Sequence, residues 1–218
     1  MKRQTLRISA VSGRSFSAWL AALLVVMAMA TGTGASAQTA KDILDKASAA
    51  FRTAGGVQAG FTFESDGVTC KGAISISGKK FRAVVEGNVT WFDGTTMWSY
   101  VKANDEVNVT TPTAAQMARM NPYTFLSLYQ KGYKLALCAA NSQYYEVTLT
   151  ATDSGNAIRS ATIRLKKGSY QPLYIRMSTG RVTNVITINS YETGKKFSPA
   201  TFVFNKKQYP HAEVIDLR

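Results

Sequence analysis

The side chains that could do chemistry in this 218-residue chain are few. There is a single histidine, His211, close to the C-terminal end of the sequence. One imidazole rules out multi-histidine metal sites and leaves a weak general base. Paired carboxylates can be sought among Glu64, Asp66, Glu86, Asp93, Asp105 and Glu106, but most of these fall at turns, where acidic residues are ordinarily solvated. No G-x-S-x-G, H-E-x-x-H, phosphate-binding loop or dinucleotide fingerprint occurs. The pattern calls for no cofactor and no metal, and we expect a protein that is not an enzyme. A small hydrolase using Asp93 or Glu86 is the catalytic rival.

Two cysteines are present, Cys70 and Cys138, with no C-x-x-C motif. In an oxidising compartment such a pair reads as a disulfide, worth roughly 4 kcal/mol on the chain-entropy estimate. Two buried free thiols are one alternative and a redox pair the other, the latter disfavoured without a C-x-x-C motif.

The chain is instead rich in apolar and aromatic capacity. Phe61, Phe63, Phe81, Trp91, Phe92, Trp98, Tyr100, Phe125, Tyr129, Phe202 and Phe204 are spread over many segments. Any one of them suits an ordinary core. Together they outnumber what a few helices could cover. Burying an acyl chain releases about 0.8 kcal/mol per methylene, so an apolar interior could carry a chain of about 16 carbons with on the order of 10 kcal/mol.

The elements that must position these residues begin after residue 37. Lys2, Arg3, Arg7 and Arg14 precede an apolar run over Ala18–Ala30 and the small-residue stretch Ala35-Ser36-Ala37. That is the layout of a secretory signal peptide cleaved before Gln38. A membrane anchor is the rival, but the run is short of the ~20 residues a span requires. The residue directly after the cleavage point is Gln38 and not a cysteine, so the mature chain does not read as a bacterial lipoprotein itself. We therefore expect residues 38–218 to be a single exported domain. The formal net charge is +13, four of those positive charges lying in the leader, and the remaining basic residues are scattered at turns. Scattered charge of this kind predicts a solubilising surface rather than a nucleic-acid stripe.

Thr39–Phe51 has an apolar stripe of Ile43, Leu44, Ala47, Ala50 and Phe51, with charged residues opposite, and predicts a helix. Nearly everything after Gly55-Gly56 alternates like strand. The segments are 59–63, 72–76, 80–85, 88–92, 96–101, 106–110, 144–151, 158–165, 173–177 and 182–191, with a hairpin at Asp93-Gly94. Between 112 and 131, Asn121-Pro122 opens a helix, so short helices interrupt the sheet. The expected fold is mainly β with a few helices. It is a curled antiparallel sheet, an incomplete β-barrel, with an N-terminal helix and an inserted helical lid.

The motifs over Gly72–Leu128 resemble the LolA family of periplasmic lipoprotein carriers. They are Gly72-Ala-Ile-Ser-Ile76, Lys79-Lys80-Phe81-Arg82, Asp93-Gly94-Thr-Thr-Met97-Trp98-Ser-Tyr100, the polar strand Glu106–Thr110 and Asn121-Pro122, in that order. The helix leading into Phe61-Thr-Phe63 and the ending Phe202-Val-Phe204 and Val214–Arg218 are similar as well. The resemblance implies a periplasmic monomer that binds the acyl chains of lipoproteins, or lipid. Its donor would be an inner-membrane lipoprotein-releasing transporter and its destination an outer-membrane acceptor. It places Phe61, Phe63, Phe81, Trp91, Trp98, Tyr100, Phe125, Leu126 and Tyr129 as candidate cavity and lid residues, and Arg82 as a candidate lid contact. One departure stands out: Ser77-Gly78 occupies the place of an Arg-Pro pair whose arginine latches the lid in well-studied carriers. A periplasmic sensor of lipid or lipoprotein in envelope-stress signalling is the alternative function.

Overall fold

A computed structural model describes residues 38–113, 116–117 and 129–218. Helix α1, Ala40–Thr53, starts where a capping residue allows it to start. Thr39 Oγ1 accepts from Asp42 N at 3.1 Å, and Asp42 Oδ2 accepts from Thr39 N at 3.0 Å, the reciprocal capping box that satisfies two orphan amides. Its stripe of Ile43, Leu44 and Ala47 is buried against the sheet, while Lys41 and Asp45 pair at 2.7 Å on the exposed side. The helix matches the periodicity read from the sequence.

Twelve strands follow among the described residues. They are β1 Gly56–Ser65, β2 Val68–Ser77, β3 Lys80–Val85, β4 Asn88–Phe92, β5 Met97–Val101, β6 Glu106–Thr110, β7 Tyr133–Ala140, β8 Tyr144–Ala151, β9 Ser160–Lys166, β10 Pro172–Ser178, β11 Thr183–Glu192 and β12 Glu213–Asp216. Their order in space is β12-β6-β5-β4-β3-β2-β1-β11-β10-β9-β8-β7. Every neighbouring pair is antiparallel except β12 with β6. The sheet is curled but open, because β7 and β12 end it without pairing to each other. The mainly-β, incomplete-barrel architecture read from the sequence is therefore the observed one.

The β4–β5 hairpin closes as its turn residues dictate: Asp93 Oδ1 accepts from the amides of Thr95 and Thr96, each at 2.8 Å, and Gly94 takes a positive φ of 107°. Two strands go beyond the sequence expectation. β7 contains Lys-Leu-Ala-Leu-Cys-Ala-Ala, a composition without β-branched residues, and becomes strand through its pairing with β8. β12 is short and exists because the returning chain lies beside β6.

Alternation along the strands sorts side chains onto two faces. On the inner face, the one α1 covers, Val57, Ala59, Ile74, Ile76, Phe81, Phe92, Val147, Leu149, Ile163, Leu165, Ile175 and Ile186 make a continuous core with α1. Gly56 is required where β1 enters, since a Cβ there would lie 2.0 Å from the Lys195 carbonyl oxygen.

The outer face is covered over β3–β6 by the segment after β11, which forms 3-10 turns at Pro199–Phe202 and Lys206–Gln208. Phe202 is buried there, and Phe204 and Tyr209 meet the Trp91 ring edge-on at centroid distances of 5.6 and 5.5 Å.

The expected disulfide is absent. Cys70 on β2 and Cys138 on β7 are both free thiols, with β1, β11, β10, β9 and β8 between their strands in the sheet. A bridge needs Cα atoms within about 7 Å, a little more than the spacing of adjacent strands.

Candidate functional site

The inner face is not uniformly sealed. Phe61, Phe63, Ala83, Met177 and Ile188 are only half-buried, yet all pack against the continuous core. Register gathers several of them. Phe61 on β1 faces Gly72 on β2 and Ile188 on β11, and Phe63 faces Cys70 and Ile186. They form an apolar ledge whose floor is the buried Ile74 of β2 and the register pair of Ile175 on β10 and Ile163 on β9. The Phe61 ring lies flat enough on β2 to occupy the space where a side chain at residue 72 would begin. Cys70 borders the ledge, and burial, with a smaller push from the Glu86 carboxylate, raises its thiol pKa, so it remains protonated and acts as a small apolar group.

Of the residues singled out in the sequence, Phe61, Phe63 and Phe81 share this inner face. Phe81 is 3% exposed and packs on Phe92 at a centroid distance of 5.5 Å, as part of the floor. Trp91, Trp98 and Tyr100 point to the outer face, where the register sets Trp91 opposite Trp98 and opposite Arg82. Arg82 lies over the Trp91 ring at 5.8 Å. Tyr100 donates to Asp105 Oδ1 at 3.0 Å and packs on Tyr209 at 4.6 Å. Phe125 and Leu126, with the expected inserted helix, lie outside the described residues.

Tyr129 is buried and ties the end of the insertion to α1. Its hydroxyl donates to Asp45 Oδ1 at 2.5 Å, and Lys41 holds the other carboxylate oxygen. Burial, and then the Asp45 bond, raises the phenol pKa; the Lys41 and Tyr129 hydrogen bonds lower that of Asp45.

Reading by residue type misses Ala83, Met177 and Ile188, because attention to aromatics passes over aliphatic residues. The alternation along 182–191 carries the signal for Ile188.

The arrangement offers apolar contact and almost no polar chemistry. Among the described residues no group of three or more His, Cys, Asp or Glu could hold a metal ion. No described helix is long and apolar enough to cross a membrane.

The family model described as outer membrane lipoprotein carrier protein LolA matches residues 31–181. No curated protein matches. Among solved structures, an uncharacterized conserved protein from Thermus thermophilus is similar over 81% of this chain and 98% of its own, at 13% identity and a TM-score of 0.57. That is a likeness of fold. A putative outer membrane lipoprotein-sorting protein domain from Vibrio parahaemolyticus is similar over 78% of this chain and 99% of its own, at 11% identity and a TM-score of 0.41. A chain of the Pseudomonas aeruginosa MucA/MucB complex is similar over 77% of this chain and 62% of its own, at 15% identity and a TM-score of 0.44. With its family model covering more than half of the sequence, the chain belongs to the LolA family of outer membrane lipoprotein carriers.

Proposed function

We propose that this protein is a non-catalytic periplasmic carrier that takes the acyl chains of lipoproteins onto its inner face and shuttles them from the inner to the outer membrane. The observation that carries the proposal is the ledge of Phe61, Phe63, Ala83, Met177 and Ile188, half-buried and packed against the buried core, in a chain of the LolA family. Such a ledge exposes apolar surface that a methylene chain would bury. At about 0.8 kcal/mol per methylene the interaction needs no polar anchor, which suits cargo that shares only its lipid. It also suits release, since nothing covalent or strongly directional holds the chain. The donor would be a lipoprotein-releasing transporter of the inner membrane and the recipient an acceptor at the outer membrane. The basic, then apolar, then small-residue leader of residues 1–37 would direct export.

Native mass spectrometry of the protein purified from the periplasmic fraction of expressing cells, with lipid extraction of the same sample, tests this reading. Bound acylated species that a synthetic diacylated lipopeptide displaces are the expected result. A lipid-free mass that does not change when lipopeptide is added would remove the carrier reading and leave a periplasmic sensor in its place.

A further inference from the structure

Basic residues that are scattered in the sequence are aligned by the fold. Lys79-Lys80, Lys166-Lys167 and Lys195-Lys196 lie far apart along the chain. Antiparallel pairing brings all three pairs to one rim of the sheet: the first leads into β3, the second ends β9 and the third follows β11. In the sheet order β3-β2-β1-β11-β10-β9 these sites are consecutive and two strands apart. At about 4.8 Å per strand, a lysine pair recurs about every 10 Å. Backbone contacts join the sites. Ser77 is in register with both Gly56 and Lys80, and the Gly56 carbonyl accepts from Lys195 N at 3.0 Å. Tyr170 and Gln171 of the β9–β10 turn line one cavity with Tyr191 and Thr193 at the end of β11. Arg52 in the last turn of α1 adds a further cation, since Gly194 N donates to the Ala54 carbonyl at 2.8 Å.

The carboxylates of this rim are already engaged. Glu192 pairs with Lys195, Asp216 pairs with Arg218, and Asp93 accepts the amides of its own turn. Lys167 donates to the neutral Asn141 carbonyl at 3.0 Å, which holds it at the rim and leaves its charge uncompensated. Lys79, Lys80, Lys166 and Lys196 form no ion pair with a described residue. The opposite rim mixes its signs: Asp66, Glu86 and Asp105 stand at turn tips, among Lys102, Arg159 and Arg181. The two rims are separated by the ten residues of β1 and β2, about 30 Å, against a screening length of about 8–10 Å at physiological salt. Each rim therefore presents its own charge to a partner.

We infer that this lysine rim docks the protein on a bilayer surface that carries anionic phospholipid headgroups. The paired residues are all lysines, hydrated point charges on flexible stems, rather than arginine forks that read a fixed carboxylate geometry. A row of such charges suits phosphates that can shift laterally to meet it. None of the exposed large hydrophobic residues, Val68, Leu137, Val203, Val214 and Leu217, lies at these three turns, so the rim lacks the apolar centre of a protein interface. Docking by this rim stands the strands up from the surface. Phe63 and Met177 of the ledge lie near the far ends of β1 and β10 and are thereby held off the bilayer.

The test is cosedimentation of the protein, purified from cells expressing the full chain, with vesicles of phosphatidylcholine containing about 30% phosphatidylglycerol, and with vesicles of phosphatidylcholine alone. Binding is expected only to the anionic vesicles, and is expected to fall about tenfold or more between about 0.05 M and about 0.5 M salt. Each basic residue near such a surface is worth about a fivefold change in binding. Lys79→Gln, Lys166→Gln and Lys196→Gln combined, one from each pair, are therefore expected to weaken vesicle binding about a hundredfold, with lipopeptide affinity in solution unchanged. Lys102→Gln, Arg159→Gln and Arg181→Gln combined remove the same charge from the other rim and are expected to stay within about threefold of the parent. Failure to bind the anionic vesicles, equal losses in the two triple variants, or binding to soluble heparin but not to vesicles overturns the inference. Phe63→Ser separates docking from cargo. Loss of vesicle binding in that variant would place the attachment at the ledge and overturn the inference, whereas a protein that docks on vesicles but ignores lipopeptide would contradict the carrier proposal alone.

Discussion

The ring of Phe61 rests where a side chain at Gly72 would have to stand. An added Cβ at Gly72 would lie 2.6 Å from Phe61 Cζ and 2.8 Å from the Val84 carbonyl oxygen. The pair is directly in register across β1 and β2. Absence of a side chain at one position is thus what lets an aromatic ring lie along the sheet at the other, an aromatic covering a glycine across strands.

Gly72→Ala is therefore expected to cost about 1–3 kcal/mol, because the Val84 carbonyl is backbone and cannot turn aside. Chemical denaturation measures it. The same variant tilts the Phe61 ring off the ledge and is expected to weaken acyl binding, whereas Gly78→Ala, strained by its φ of 59° but with open space around its would-be Cβ, should lower stability and leave binding by the folded protein unchanged.

Tyr129→Phe removes the hydroxyl that joins the end of the insertion to α1, and should cost about 1–2 kcal/mol by thermal or denaturant unfolding. The pH dependence has a definite sign. Asp45 has a folded pKa below its unfolded value, so its stabilisation is complete above about pH 4–5 and is lost as pH falls through the lowered value. Tyr129 is raised, so its contribution is present below about pH 10 and is lost as pH rises through the raised value. Asp45→Asn should flatten the acid limb of an unfolding-midpoint profile; an unchanged limb would show that other carboxylates govern it.

Both thiols should react with a maleimide without prior reduction, Cys138 quickly because it is exposed, and Cys70 slowly because it is partly shielded and its thiol pKa is raised. Intact-mass analysis of the labelled protein counts the adducts. An unlabelled species about two mass units lighter than the reduced chain would mean that the sulfurs are bonded after all. The double change of Cys70→Ser and Cys138→Ser is expected to lower stability by only about 1 kcal/mol, well under what loss of a disulfide would bring.

How much of this is legible in the sequence differs between elements. The α1 periodicity and the Thr39 cap are local, and so is the Asp93-Gly94 turn, and each is readable as such. β7 is not, since Leu-Ala-Leu-Cys-Ala-Ala carries no strand preference and its conformation is imposed by β8. Within the site, alternation places Phe61 and Phe63 on a common face of one strand. It cannot decide between the neighbours Trp91 and Phe92, both aromatic and both buried. That choice is made by register, which aligns Phe92 with Phe81, and by Phe204 and Tyr209 returning over Trp91 from far along the chain.

The two faces should consequently separate in their effects. Trp91→Ala empties a site 3% exposed and ringed by aromatics, and is expected to cost about 3–5 kcal/mol in stability without changing the affinity of the folded protein for acyl chains. Denaturant unfolding supplies the first quantity and lipopeptide titration well below the unfolding transition supplies the second.

Binding of acyl chains to the inner face at the Phe61–Phe63 ledge is read out by the affinity of a dipalmitoylated lipopeptide for Phe63→Ser and for Trp98→Ser. Both residues are half-buried aromatics, one on each face. Phe63→Ser is expected to weaken binding by about tenfold or more, while Trp98→Ser stays within about twofold of the parent. Equal losses in the two variants, or a larger loss in Trp98→Ser, would contradict it.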